Sequence, residues 1–109
     1  MSRIAKTLRK PPYYAVIFSS QRTEGDQGYQ NMAEKMVELA TQQKGFLGIE
    51  STNDDELGIT ISYWDSLEAI QSWKEHSAHQ IAQRKGKSEW YKQFALTVCK
   101  VERDNFFEM

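Results

Sequence analysis

The sequence is poor in the features that mark several classes of protein. Its single cysteine, Cys99, excludes a disulfide within the chain and favours a cytoplasmic location. Two prolines and six glycines among 109 residues exclude a fibrous or linker-rich chain. No hydrophobic run is as long as a membrane span, and the first residues contain no signal-peptide core, so we expect no membrane association. A chain of this length builds one globular domain.

The charges are nearly balanced but unevenly placed. Fourteen Lys and Arg residues stand against fifteen Asp and Glu residues, a net charge of −1 that argues against nucleic-acid binding. Residues 1–10 contain four basic residues and no acidic one. We therefore divide the chain into a basic N-terminal arm (1–12), a domain (13–103) and a C-terminal tail (104–109). The arm either clamps across a symmetric partner or is a solvated tail.

Hydrophobic periodicity predicts four strands and two helical segments. A β-branched and aromatic run predicts a strand over 13–21, and an apolar stripe from Tyr29 to Ala40 predicts a helix that stops at Lys44 and Gly45. A turn-forming stretch joins predicted strands over 46–52 and 57–64 into a hairpin. A second helix is expected to start at Asp65 or Ser66, break at Ser77 and end at Gly86, before a last strand over 94–101.

The order βαββαβ predicts an α+β, ferredoxin-like fold. Right-handed crossovers place both helices on one face of a four-stranded antiparallel sheet and leave the other face uncovered. The first and last predicted strands carry apolar residues on both faces. We therefore expect a homodimer in which two sheets pack face to face.

Both histidines lie beside Trp73, around the predicted helix break. His76 would face the negative end of one helix dipole, whereas His79 would face the positive end of the next, which favours neutral imidazole. His79 is therefore our candidate general base, with His76 beside it, unless both are simply exposed histidines at helix ends. We expect no metal site, because no further Asp, Glu or Cys has a matching spacing.

Aromatic residues with polar tips are unusually frequent between positions 63 and 91. Such residues either form an ordinary core or surround a flat aromatic ligand. At the mouth of such a pocket, Arg84 would hold an anionic substituent or belong to a solvated helix end. The aromatic candidates are Tyr63, Trp64, Trp73, Trp90 and Tyr91.

The segments GFLGIES and SYWDSLEAIQSWKEHSAHQIAQRKGKSEWY resemble those of antibiotic biosynthesis monooxygenase (ABM) domains. The resemblance covers residues from about 13 to 103. It implies a dimeric α/β barrel and an oxidoreductase activity. Some members of that family are cofactor-independent oxygenases that act on aromatic phenols with O2, whereas others degrade haem.

The resemblance gives the candidate residues their roles. In the cofactor-free chemistry His79 takes or relays a proton, the three tryptophans form walls and donate N–H groups, and Tyr63 or Tyr91 donates a phenolic hydrogen bond. The catalytic candidates are His79, Trp73 and Tyr63; the substrate-contacting candidates are Trp64, His76, Trp90, Tyr91, Phe18 and Arg84.

Haem is the alternative cofactor. The haem-degrading branch uses an Asn in its first strand and a ligand His ten residues after the helical Trp. Here the strand offers Phe18, Ser19 and Ser20, and the tenth residue after Trp73 is Gln83. The first hypothesis remains a monooxygenase that acts on an aromatic or quinone-like compound without a cofactor, and haem binding or degradation is the second.

A third hypothesis is a non-catalytic dimer that binds a small molecule or takes part in a stress response.

Overall fold

The computed structural model describes residue 4 and residues 10–25, 28–54 and 56–109, without the side chains of Ser77 and Ala78. Most of the predicted basic arm therefore lies outside the described residues. No helix in the described ranges is long and apolar enough to cross a membrane. The eight secondary-structure elements of these ranges are β1 (Tyr13–Arg22), α1 (Tyr29–Thr41), β2 (Phe46–Asn53), β3 (Gly58–Trp64), α2 (Leu67–Glu75), α3 (Ser77–Lys85), a π-helical turn (Gly86–Trp90) and β4 (Tyr91–Val101).

The four strands form one antiparallel sheet in the order β2-β3-β1-β4. In β1, Val16 pairs with Ser62 of β3 and with Val98 of β4, and Phe18 pairs with Thr60 and Leu96. This arrangement confirms the predicted α+β, ferredoxin-like fold.

Side chains of the sheet alternate between two sides, as the pleat requires. Trp64 and its partner Phe46 lie on the side that carries the helices, where Trp64 meets Trp73 of α2. We call this the helix side. Ala15 and its partner Tyr63 point the other way, to the outer side.

The second helical segment breaks almost where the sequence predicts. Ser66 is the N-cap of α2 and accepts a hydrogen bond from the N–H of Ala69 at 3.1 Å. His76, with an extended ψ of 132°, separates α2 from α3, so the break falls one residue before Ser77.

The segment that follows α3 differs from the prediction. The α-helix ends at Lys85, directly before Gly86 as predicted, but the chain then continues through a π-helical turn to Trp90 instead of a loop. The last strand then begins at Tyr91 rather than at Phe94. Pairing with β1 explains the early start: Arg22 lies opposite Tyr91 after a register shift, so three more residues join the sheet.

Gly45 links the end of α1 to the start of α2. Its φ is +91°, and its carbonyl accepts a hydrogen bond from the N–H of Asp65 at 2.8 Å. A Cβ at this position would lie 2.6 Å from the Cβ of Ala69 and would also collide with the Asp65 carboxylate. Only glycine fits both the backbone conformation and this close contact.

Gly45→Ala is therefore expected to lower the free energy of unfolding by about 3 kcal/mol, through left-handed strain and overpacking together. Gly25→Ala is the matched control, because Gly25 also has a positive φ (80°) but, among the described residues, no atom within 4 Å of an added Cβ. The control is expected to cost only about 1 kcal/mol. Urea denaturation followed by circular dichroism measures both values; equal losses would show that the contact with Asp65 and Ala69 is unimportant.

Candidate functional site

One group of aromatic rings fills the helix side where β3 meets α2. Trp64 is 1% exposed, and its indole N–H donates to the hydroxyl of Ser62 at 2.9 Å. Trp73 stacks on Trp64 with ring centroids 6.2 Å apart, and His79 stacks on Trp73 at 4.7 Å with only 17° between the ring planes. His76 packs on the same indole at 5.5 Å. The structure thus brings four of the candidate residues together.

The geometry of His79 fixes its tautomer. Its Nδ1 lies 3.1 Å from the backbone carbonyl of Trp73. A carbonyl oxygen only accepts hydrogen bonds, so Nδ1 carries the proton and Nε2 keeps its lone pair. Burial lowers the pKa of His79 below its ordinary value, and the hydrogen bond to Trp73 opposes that effect only partly. Burial therefore favours the neutral form of the imidazole.

A second aromatic group lies around the π-helical turn. Phe18 packs on Tyr91, with centroids 5.3 Å apart, and Tyr29 of α1 packs edge-on against Trp90 at 5.6 Å. The Arg22 guanidinium sits 3.6 Å above the Tyr29 ring. Burial raises the pKa of Tyr91, as does its hydrogen bond with Tyr29. Three further candidates, Phe18, Trp90 and Tyr91, thus belong together, but not to the Trp73 group.

Two candidates lie outside both groups. Tyr63 is on the outer side, where its hydroxyl donates to the Glu50 carboxylate at 2.8 Å and its ring meets Tyr13 edge-on. Burial and the neighbouring Glu50 carboxylate raise the pKa of Tyr63. Arg84 is exposed near the end of α3. The sheet thus separates Tyr63 from His79, and strand alternation could have revealed this, since Trp64 is its neighbour in sequence.

The helix side of β4 is apolar and largely uncovered. Phe94, Leu96 and Val98 point to this side but remain 40%, 52% and 42% exposed. Phe94 also touches Phe18 at 5.3 Å. We call this surface the β4 trough; it lies on the same side of the sheet as His79.

A cavity of about 860 Å3 lies between α1 and the sheet. Phe18 is the only candidate site residue that lines this cavity. From the sequence, the other lining residues had no role beyond their helix, strand or turn. Tyr29, Ala33 and Val37 belong to the apolar stripe of α1, which predicted packing but not an opening beneath the helix.

The described residues contain no cluster of three or more His, Cys, Asp or Glu side chains that could hold a metal ion.

Comparison with known proteins identifies related chains. Residues 12–85 match the family described as antibiotic biosynthesis monooxygenase. The uncharacterized protein YqjZ of Bacillus subtilis is 52% identical over 109 residues, which are 99% of this chain and 95% of YqjZ.

Two solved structures illustrate the shared fold. A mutant of SnoaB, a cofactor-independent oxygenase from Streptomyces nogalater, superposes with a TM-score of 0.74 at 9% identity, covering 88% of this chain and 98% of that one. Rv0793 of Mycobacterium tuberculosis also gives a TM-score of 0.74, at 11% identity, covering 85% and 97% of the two chains. At these identities the likeness establishes the fold alone.

Proposed function

Because the chain belongs to the antibiotic biosynthesis monooxygenase family, we propose that it oxidises an aromatic or quinone-like small molecule with O2 and without a bound cofactor. The observation that carries the proposal is the His79 imidazole, whose Nδ1 lies 3.1 Å from the Trp73 carbonyl, so that the lone pair of the neutral ring is on Nε2. SnoaB, a structural neighbour, is described as a cofactor-independent oxygenase. The proposal gives this chain the same class of reaction.

The reaction needs a base, because a neutral phenol or anthrone reduces O2 too slowly. His79 Nε2 would remove a proton from the substrate, and the resulting carbanion would transfer one electron to O2. Recombination of the substrate radical with superoxide at carbon forms a peroxide anion, which takes the proton back from His79 to give a hydroperoxide. The hydroperoxide loses water, formed from its C–H hydrogen and its outer hydroxyl group, and a carbonyl group remains. One oxygen atom enters the product and the other leaves as water, so the conversion of CH2 to C=O supplies all four electrons.

The surrounding residues position the base and the substrate. The stack of Trp64 and Trp73 fixes the plane of the imidazole. The β4 trough offers an apolar surface for the substrate ring, beside Phe18 and Tyr91. Tyr63 lies on the outer side and would not touch a substrate held there.

Haem binding is the second functional hypothesis. His79 carries a nitrogen of the type that ligates haem iron, whereas the ligand position of the haem-degrading branch carries Gln83. The donor set therefore fits a haem iron only in part. Non-catalytic binding is the third hypothesis.

Two measurements separate these hypotheses. We expect the protein to consume O2 with dihydroxynaphthalenes or anthrones, and haemin to give no saturable shift of the Soret band. A saturable Soret shift would favour haem instead. Failure to oxidise any aromatic compound in the panel would favour a binding protein.

We also propose that the outer side of the sheet forms a homodimer interface. Ile17, Ile59 and Ile61 lie on this side, and Ile59 and Ile61 line a hollow of about 390 Å3. Face-to-face packing of two such sheets would bury these apolar side chains.

Sedimentation velocity at micromolar concentration is expected to show a dimer. Ile61→Glu should give a monomer, because it places two carboxylates at an apolar interface. Leu57→Glu, the same kind of change at an exposed turn position, should leave the dimer intact. A monomeric wild-type protein would contradict the proposal.

A further inference from the structure

The C-terminal tail (104–109) starts on the outer side of the sheet. Tyr13 of β1 points to this side, where its ring meets Tyr63 edge-on, and it is only 4% exposed. Its hydroxyl donates a hydrogen bond to the Asp104 carboxylate. This buried phenol therefore fixes the start of the tail on the surface that we propose as the homodimer interface.

The end of the tail is apolar and exposed. Phe107 is 81% exposed, and Met109 is fully exposed. Because the tail is anchored at Asp104, these two side chains stay close to the outer side instead of moving freely in solvent. Large apolar side chains that are exposed together mark a surface for contact with another protein.

The outer side also carries an apolar hollow that the tail leaves open. Ile59 and Ile61 of β3 line this hollow of about 390 Å3, together with Glu50 and its neighbours in β2. No residue of the tail, which the structure describes completely, lines it. The hollow and the end of the tail are thus two apolar surfaces on the same side of the sheet.

The Phe107 side chain does not reach across this hollow within one chain. Asp104 is bound to Tyr13, at the end of β1 that lies beside Trp64 of β3. Ile59 lies five residues further along β3, a distance of about 17 Å. The three residues from Asp104 to Phe107 span at most about 11 Å. The tail therefore does not cover Ile59 of its own chain.

The tail and the hollow occupy diagonally opposite corners of the outer side. The tail starts beside β1 and β4 at the Tyr13 end, whereas the hollow lies over β2 and β3 at the other end. When two identical sheets pack face to face with their strands nearly at right angles, a two-fold axis between them superposes opposite corners. Such a dimer would bring each tail onto the hollow of the partner, so the contact would form twice.

The charges of the two chain ends favour the same contact. Ile4 of the basic N-terminal arm (1–12) lines the hollow. The arm contains four basic residues and no acidic one, whereas the tail contains two acidic residues and no basic one. Opposite charges speed the approach of two surfaces and select their pairing. A partner's tail therefore meets complementary charge at the hollow.

We infer that the C-terminal tail of each copy docks in the outer-side hollow of a second copy. Phe107 and Met109 pack on Ile59 and Ile61 of the partner, and the bond between Tyr13 and Asp104 holds the tail in position for this contact. The inference rests on the proposed homodimer, but it does not depend on the proposed oxidation.

Photo-crosslinking between isotopically distinct copies tests the contact directly. The variant Phe107→p-benzoylphenylalanine is prepared with and without 15N, the two samples are mixed, irradiated and digested, and cross-linked peptides are identified by mass spectrometry. We expect crosslinks from position 107 of one copy to residues 59–61 of the other, recognised by one labelled and one unlabelled peptide. Crosslinks confined to one copy, or crosslinks to the β4 trough of the other, would overturn the inference.

The strength of the dimer is a second measurement. Phe107→Ala is expected to raise the dimer dissociation constant at least about 100-fold, because the loss of a buried phenyl ring costs about tenfold and occurs twice in a symmetric dimer. Phe107→Leu is the matched control, since it keeps an apolar side chain, and should raise the constant less than about fivefold. Sedimentation equilibrium measures the constants, and circular dichroism verifies that the variants are folded.

The outcomes separate this inference from the other proposals. A dimeric wild-type protein whose dissociation constant is unchanged by Phe107→Ala would overturn the tail contact and leave the outer-side dimer standing. A monomeric wild-type protein would overturn both. Crosslinks between copies at residues 59–61, together with a weaker dimer in Phe107→Ala, would support the inference even if the protein consumes no O2.

Discussion

Replacing His79 with alanine is expected to slow O2 consumption by at least about 100-fold, the usual contribution of a general base. His79 is the histidine whose Nδ1 is held by the Trp73 carbonyl and whose Nε2 keeps its lone pair. Removing the imidazole removes the nitrogen that would take the substrate proton. Steady-state O2 uptake with a dihydroxynaphthalene or an anthrone measures the effect.

His76→Ala is the matched control for this prediction. His76 is the same residue type and packs on the same Trp73 ring, but more distantly and at a steeper angle, with 5.5 Å and 40° against 4.7 Å and 17°. We expect its loss to change the rate by less than about threefold, well below a general-base effect. Equal losses in the two variants, or none in His79→Ala, would refute the assignment of the base.

The pH dependence of O2 consumption is a second test of His79 as the general base. A general base acts in its neutral form, so the rate should rise with pH as His79 loses its proton. Burial lowers the pKa of His79 below its ordinary value of 6.5, so the midpoint of this rise should lie on the acid side of ordinary imidazole titration. A rising limb centred above pH 6.5 would show that another group is the base.

The largest effect on stability is expected for Trp64→Ala, which should lower the free energy of unfolding by about 3–5 kcal/mol. Trp64 is the most deeply buried large side chain among the described residues, and it packs against Phe46 and Trp73. Its removal leaves a cavity between β3 and α2. Denaturant unfolding at one fixed protein concentration measures the loss, since dimerisation would make stability depend on concentration.

Trp64→Phe distinguishes ring packing from the indole hydrogen bond. Phenylalanine retains an aromatic ring but loses the N–H bond to Ser62, so we expect a smaller loss of about 1–2 kcal/mol. The alanine variant should also slow oxidation, because Trp73 loses the ring that supports it. A loss below about 1 kcal/mol for Trp64→Ala would show that the core does not depend on this residue.

Local sequence rules explain much of the fold. Alternating apolar residues, the Ser66 cap and the left-handed Gly45 each act over a few residues, so the strand and helix order could be predicted. The helix break near Ser77 was also predicted, and it falls at His76. The extension of β4 to Tyr91 could not be predicted, because it depends on pairing with Arg22 across a register shift.

The candidate site was predicted only in part. Trp73 and His79 lie close in sequence on either side of the helix break, so their neighbourhood follows from local geometry. Tyr63 was grouped with them although adjacent strand residues point to opposite faces.

The sequence by itself determined the order of elements, the family resemblance and the pairing of Trp73 with His79, because periodicity, capping and helix geometry are local. The tertiary structure alone decided that Phe18 meets Tyr91, and that Glu34 and Thr60 share one cavity. Strand register and helix docking bring these distant residues together, and neither is encoded in local spacing.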